Sequence, residues 1–196
     1  IGHGPFSHLF EEIIQEKKIS HEDYGKKIIL NSEIGDILSK TGFDKKLIAQ
    51  IAFGESKFQY LNEIVSGALS ADMMDYLLRD GYFTGAEHAK VDHKRITQSL
   101  SVHKKKIALE RSALYSFESM MHSRYQMFKA VYFHKTVRAA EVMLIQALRL
   151  SDDEFGFTSF NLNEYVKLTD EFVLSSIISS KSPKLKQAKQ LAEDYQ

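Results

Sequence analysis

Two prolines, Pro5 and Pro183, are all that the 196 residues contain, and between them apolar residues recur at three- and four-residue spacings, the period of a helix. That pattern confines the chain to an all-α helical bundle, since strands need alternation and uninterrupted helices need proline to be absent from their interiors. Phe6, Leu9, Phe10, Ile13 and Ile14 form an apolar stripe just after Pro5, a residue tolerated in a first helical turn. Glu11, Glu12, Gln15 and Glu16 fall on the other face, so the spacing predicts an amphipathic helix over residues 6–17. Ser20 followed by His21, Glu22 and Asp23 resembles a capping box, opening a second helix that runs to Leu30. Helices are expected over 32–39 and 44–53, the latter capped by Asp44, then on either side of a break near Gly67, the last of these ending before Gly81.

Further along, Ile96, Gln98, Leu100, Val102, Ile107 and Leu109 alternate in a way that suits a small β-hairpin within 96–109. Residues 110–150 read as one long, central helix, followed by a loop over 151–156, two short helices within 162–179 and a polar terminal helix from Pro183. This organisation suggests a core over 1–150 and a C-terminal helical extension over 151–196.

Composition excludes several functions. Lys and Arg number 26 and Asp and Glu number 26, so no net charge draws the chain to nucleic acid or an anionic membrane. The absence of cysteine excludes a disulfide framework, a zinc–thiolate site, an iron–sulfur cluster and a cysteine nucleophile. It fits a reducing compartment, and the expectation is cytoplasmic. No stretch of about 18 apolar residues is present to span a bilayer, and the opening IGHGPFSH has no signal-peptide character. That opening also lacks an initiator methionine, so the sequence reads as part of a longer protein.

Four constellations could carry chemistry. The opening puts His3 and His8 around a helix start, with Gly2 and Gly4 letting backbone approach a ligand; two imidazoles at a helix N-terminus can cradle phosphate or simply cap it. His21 and Glu22 pair a histidine with a carboxylate, an acid/base arrangement or a polar cap. In ADMMDYLLRD, Asp75 and Arg79 suit a surface ion pair, while Asp72, Asp75 and Tyr76 share a face on which carboxylates and a phenol can hold a metal or phosphate. Finally, Arg124, Phe128, Tyr132 and Lys135 fall along one helix side with His122 and His134 near its ends, either as core or as a grip on an anionic ligand with a ring.

Taken together, these segments resemble the HD-domain phosphohydrolases, and among them the deoxynucleoside triphosphate triphosphohydrolase branch. The family's run is a His-Asp doublet followed by an apolar-Gly-His-Gly-Pro-Phe-Ser-His segment, which Ile1 to His8 match residue for residue. His21-Glu22 corresponds to a later His-Glu pair, and Ser70 to Asp80 to the branch's Asp-Ala-Asp-basic-x-Asp-Tyr-x-x-Arg-Asp helix. Arg124, Tyr132 and His134 also have counterparts, so the resemblance covers residues 1–150.

The resemblance implies a divalent metal (Mn²⁺, Mg²⁺, Fe²⁺ or similar) held by a histidine, the His-Asp doublet and a distant aspartate, here Asp72. It implies hydrolysis of a deoxynucleotide to deoxynucleoside and triphosphate, with His21 as acid/base group oriented by Glu22. His3 and His8 would contact phosphate, Tyr76 the sugar, and Arg124, Tyr132 and His134 the rest of the pocket; a homo-oligomer is also implied. The sequence begins where the doublet would just have ended. It carries Met73 and Ser70 where the branch has a cation and an acid, leaving nucleoside monophosphates or another phosphoester open. A helical module that binds a nucleotide or partner without turnover is the alternative of a different class.

Overall fold

The structure, a computed structural model, describes residues 1–15 and 19–196. Its elements are α1 (His8–Gln15), α2 (His21–Asn31), α3 (Glu33–Lys40), α4 (Lys45–Ala52), α5 (Gln59–Ser66), α6 (Ala71–Thr84) and α7 (His93–Gln98), then strands β1 (Leu100–His103) and β2 (Lys106–Leu109). After these come α8 (Leu114–Met127), α9 (Lys135–Phe155), α10 (Leu162–Tyr165), α11 (Asp170–Ser179) and α12 (Lys186–Tyr195). The expected helical fold with one small hairpin is what forms. Leu100 faces Leu109 and His103 faces Lys106 across the two antiparallel strands.

Two compact units divide the chain, each with its own apolar core. The first comprises residues 1–45 and 138–196. Phe10, Ile13, Ile14 and Tyr24 pack there against Leu144, Leu148, Phe157, Tyr165, Val173 and Ile177, so that α1 and α2 close on the C-terminal helices. The second comprises residues 46–137 and buries Met73, Met74, Leu77, Ile96, Met120 and Met127. Among the described residues, no helix is long and apolar enough to cross a membrane.

The local rules worked where they depended on neighbouring residues alone. Ser20 and Asp23 form the reciprocal capping box, each side chain taking the other's backbone N–H, and Ser32 caps α3. Departures arise where tertiary contact overrode them. The first helix starts at His8 rather than at residue 6, because Phe6 and Ser7 both have positive φ, 55° and 50°; the expected end at residue 17 lies outside the described residues. Helix α6 runs through Gly81 and stops at Gly85, which takes the left-handed conformation that glycine tolerates. Gly81 is buried where the Ala89 side chain presses on it, so its missing Cβ serves packing rather than termination.

The expected spine from 110 to 150 is two helices. α8 gives way to a π-helical turn over Phe128–Tyr132, and Phe133 and His134 then break the chain before α9. α9 absorbs most of the loop expected at 151–156, with the Ser151 hydroxyl bonded back to Leu148 O at 2.9 Å and Gly156 taking positive φ just past its end.

Candidate active site

The first unit gathers three histidines around one carboxylate. Glu11 lies one turn into α1 and is turned inward, only 8% exposed, against the sequence expectation of an outward polar face. His8 Nδ1 donates to its Oε2 at 3.1 Å and His21 Nδ1 to its Oε1 at 2.5 Å. An ionised carboxylate only accepts, so both rings carry their proton on Nδ1 and keep Nε2 for a reactant. Burial by itself would raise the Glu11 carboxyl, but the hydrogen bonds from His21 and His8 and the nearby His21 charge bring it down to about 2.

His3 completes the group. Its ring stacks on His21, centroids 4.3 Å apart and planes 14° from parallel, and meets His8 edge-on at 4.9 Å. Burial, then the His21 and His8 charges, push His3 below its ordinary value of 6.5. Gly2, at φ 106°, lets this loop lie directly on the backbone of α2 at His21 and Gly25, and Gly4 leaves room for Phe10 and the Tyr165 hydroxyl. Both glycines thus make space for the protein itself, where the sequence suggested space for a ligand.

The carboxylate that meets His21 is Glu11, whereas Glu22 points to solvent. A sequence pattern could have flagged this only through the three-residue step from His8 to Glu11; the ten-residue step to His21 crosses between helices and has no period.

One ring nitrogen from each histidine lies within 4.8 Å of the others, a donor set that transition metals accept. As placed, however, two nearly parallel rings direct their in-plane lone pairs side by side rather than at one point, while a zinc-like ion needs ligands converging at about 2.0–2.1 Å. In their doubly protonated form, rings arrayed in that way present N–H groups that suit several oxygens of one anion. Asp72, exposed in the first turn of α6, is a single carboxylate. The described residues do not make up the multi-ligand metal centre that the resemblance implies.

The second unit holds the other expected residues. The Tyr132 hydroxyl donates to Asp80 Oδ2 at 2.6 Å, linking the π-helical turn to α6, and burial followed by the Asp80 carboxylate raises that phenol. Tyr76 meets the Tyr132 ring edge at 6.3 Å. Arg124 lies 5.3 Å over Phe128, which contacts Tyr132 in turn, so the part of the cation–aromatic strip from Arg124 to Tyr132 stays in contact despite the π turn. Arg124 Nε is buried with no hydrogen-bond partner among the described residues, and Arg124, Phe128, Met121 and Tyr125 line a surface cavity of about 340 Å³. His134 Nδ1 accepts the Thr136 N–H at 3.3 Å, capping the start of α9. Asp75 is engaged with Arg79 at 2.5 Å on an open surface. Ser70 caps α6 through Met73 N, and Met73 is buried in the core.

Comparison with known proteins points one way. The pattern of the family described as the HD-associated region matches residues 91–193. Uncharacterized protein YwfO of Bacillus subtilis is 34% identical over 193 residues, covering 89% of this chain and 44% of its own. The deoxynucleoside triphosphate triphosphohydrolase SAMHD1 homolog of Dictyostelium discoideum is 29% identical over 209 residues, covering 99% of this chain and 40% of its own. The chain thus spans less than half the length of these relatives. A crystal structure of a phosphohydrolase from Bacteroides thetaiotaomicron superposes with a TM-score of 0.79 at 26% identity, covering 99% of this chain and 53% of that one.

Proposed function

Since the chain belongs to the HD-associated region family, we propose that it is part of an HD-domain phosphohydrolase resembling the dNTPase branch, and that it hydrolyses deoxynucleoside triphosphates to deoxynucleoside and triphosphate. The observation that carries the reading is a buried carboxylate, Glu11, bonded to both His8 and His21 with His3 stacked alongside. Glu11 holds two imidazoles by Nδ1, so that His21 in its doubly protonated form can hand its Nε2 proton to the departing 5′ oxygen as the phosphorus–oxygen bond breaks, while the water that adds to phosphorus gives up its proton to solvent. His3, and His8 when doubly protonated, would donate to phosphate oxygens, stabilising charge that grows as water attacks.

Arg124, whose Nε lacks a partner, supplies a cation for phosphate, and Tyr76, Tyr132 and His134 are assigned to sugar and phosphate contacts. Glu22, exposed beside His21, keeps at most an outer role in this scheme. Asp72 is this chain's contribution to a divalent metal such as Mn²⁺, Mg²⁺ or Fe²⁺, and the active form is a homo-oligomer. A core over 1–150 with a C-terminal extension remains the proposed division of labour, as does a cytoplasmic setting.

One observation favours a second reading. Met73 is buried in the core where the dNTPase branch carries a cation, so α6 offers no positive charge there for a long phosphate tail. A nucleoside monophosphate or another phosphoester would need none.

The test is product analysis of the protein at the full length of its relatives, with Mn²⁺ and a panel of deoxynucleoside tri- and monophosphates. Inorganic triphosphate supports the first reading and orthophosphate from monophosphates the second. No product from either, with nucleotide still bound, would replace both with a non-catalytic binding module.

A further inference from the structure

The loop bearing His3 is held at both ends by residues from the far end of the chain. On one side, the Tyr165 hydroxyl donates to Gly2 O at 2.7 Å, in a buried bond across 163 positions of sequence. On the other, Asp170 Oδ1 accepts the Phe6 N–H at 2.9 Å, across 164 positions. These two bonds bracket His3. The Tyr165 ring is fixed in its own right, stacked on Tyr24 with centroids 3.7 Å apart and planes 4° from parallel. Tyr24 in turn donates to Phe160 O at 3.3 Å.

The bracketed segment needs holding. Phe6 and Ser7 both occupy the left-handed region, which residues with a Cβ seldom adopt, so this backbone would relax if released. The Phe6 ring also meets Tyr195 edge-on at 6.3 Å. The stacking of His3 on His21 at 4.3 Å depends on where this loop lies, since among the described residues α1 and α2 meet the His3 ring through ring contacts and not through a hydrogen bond.

We infer that Tyr165 and Asp170 are positioning residues, which set His3 against His21 by clamping the backbone at Gly2 and Phe6. The 151–196 segment thereby completes the histidine group. Its catalytic meaning rests on the phosphohydrolase reading; the positioning itself does not. In reactions of this kind, displacing one contacting group by about 1 Å costs on the order of a hundredfold in rate.

The test uses the full-length protein with Tyr165→Phe, which keeps the ring stack and removes the donor, and Asp170→Ala beside Asp170→Asn, whose side-chain carbonyl can still accept from Phe6. Tyr24→Phe, which keeps the stack on Tyr165 and loses only the hydrogen bond to Phe160 O, is the control for general loosening. The readouts are the ring resonances of ¹⁵N-histidine-labelled protein and the split between kcat and KM.

Tyr165→Phe and Asp170→Ala are expected to move the His3 ring resonances and, where the enzyme turns over, to lower kcat about tenfold to a hundredfold with little change in KM. Asp170→Asn should restore both, and Tyr24→Phe should move neither. Unmoved His3 resonances in Tyr165→Phe and Asp170→Ala would overturn the inference, as would equal movement in Tyr24→Phe. Moved resonances in a protein that releases no product from any nucleotide would uphold the clamp and reject the phosphohydrolase reading instead.

Discussion

Replacing Glu11 by glutamine tests the centre of the histidine group. The Glu11 carboxyl sits at about 2 in the folded protein, against an ordinary value of 4.5. A group whose folded value is depressed contributes stability that is present above its unfolded value and is lost as pH falls through the folded one. At about 1.4 kcal/mol per pH unit, the depression is worth about 3 kcal/mol at neutral pH. About half of that should be gone by roughly pH 3.5, where the unfolded chain binds the proton and the folded protein still does not.

Glutamine can accept from His21 but turns an N–H toward His8, so the variant loses this pH-linked term. Urea titrations of both proteins, at steps from about pH 7 to about pH 3.5, measure it through the unfolding of the unit formed by residues 1–45 and 138–196. The stability gap should be largest near neutrality and should narrow by about 1.4 kcal/mol at the acid end. A gap that stays constant across this range would refute the argument, since it would mean that Glu11 ionises alike in the folded and unfolded chain.

Further tests fall in both units. Tyr132→Phe leaves the half-buried Asp80 without its hydroxyl donor and should lower the urea stability by about 1–3 kcal/mol, with Asp80→Asn in the same background recovering part of it. Burial raises the Tyr165 phenol above its ordinary value of 10, and neighbouring Tyr24 and Glu11 add to this, so its stabilising effect is present below about pH 10 and lost above it. In an ultraviolet alkaline titration, Tyr165→Phe should therefore remove amplitude from the late phase; amplitude lost near pH 10 instead would contradict the burial argument. Gly81→Ala forces a Cβ onto Ala89 and should lower the thermal midpoint, at a cost of about 1–3 kcal/mol, although alanine is otherwise the better helix former. Asp75→Ala breaks an ion pair that is more than half exposed on both sides and should leave the midpoint unchanged.

The sequence by itself determined what depends on neighbours a turn or two apart. Helical periodicity fixed the fold class; Ser20 and Asp23 fixed the start of α2; alternation and the polar tip at His103 to Lys106 fixed the hairpin. The Ile1 to His8 motif singles out His3 and His8 by itself, and the strip from Arg124 through Phe128 to Tyr132 tolerates the π turn because those side chains remain in contact. These features are local, and local spacing is written in the chain.

Tertiary structure decided the rest. Periodicity sorted Glu11 with its polar neighbours, but two imidazoles, one of them on another helix, offered it hydrogen bonds that offset the cost of burial. Gly81 read as a stop because glycine often is one, yet the close approach of Ala89 made it an interior residue. Asp80 stood unremarkable on its helix until Tyr132 met it 52 positions later. Tyr165 and Asp170, in a segment whose role the sequence left unread, reach back to Gly2 and Phe6. A hydrogen bond between distant segments leaves no period in the sequence, so only packing the two cores brought these partners together.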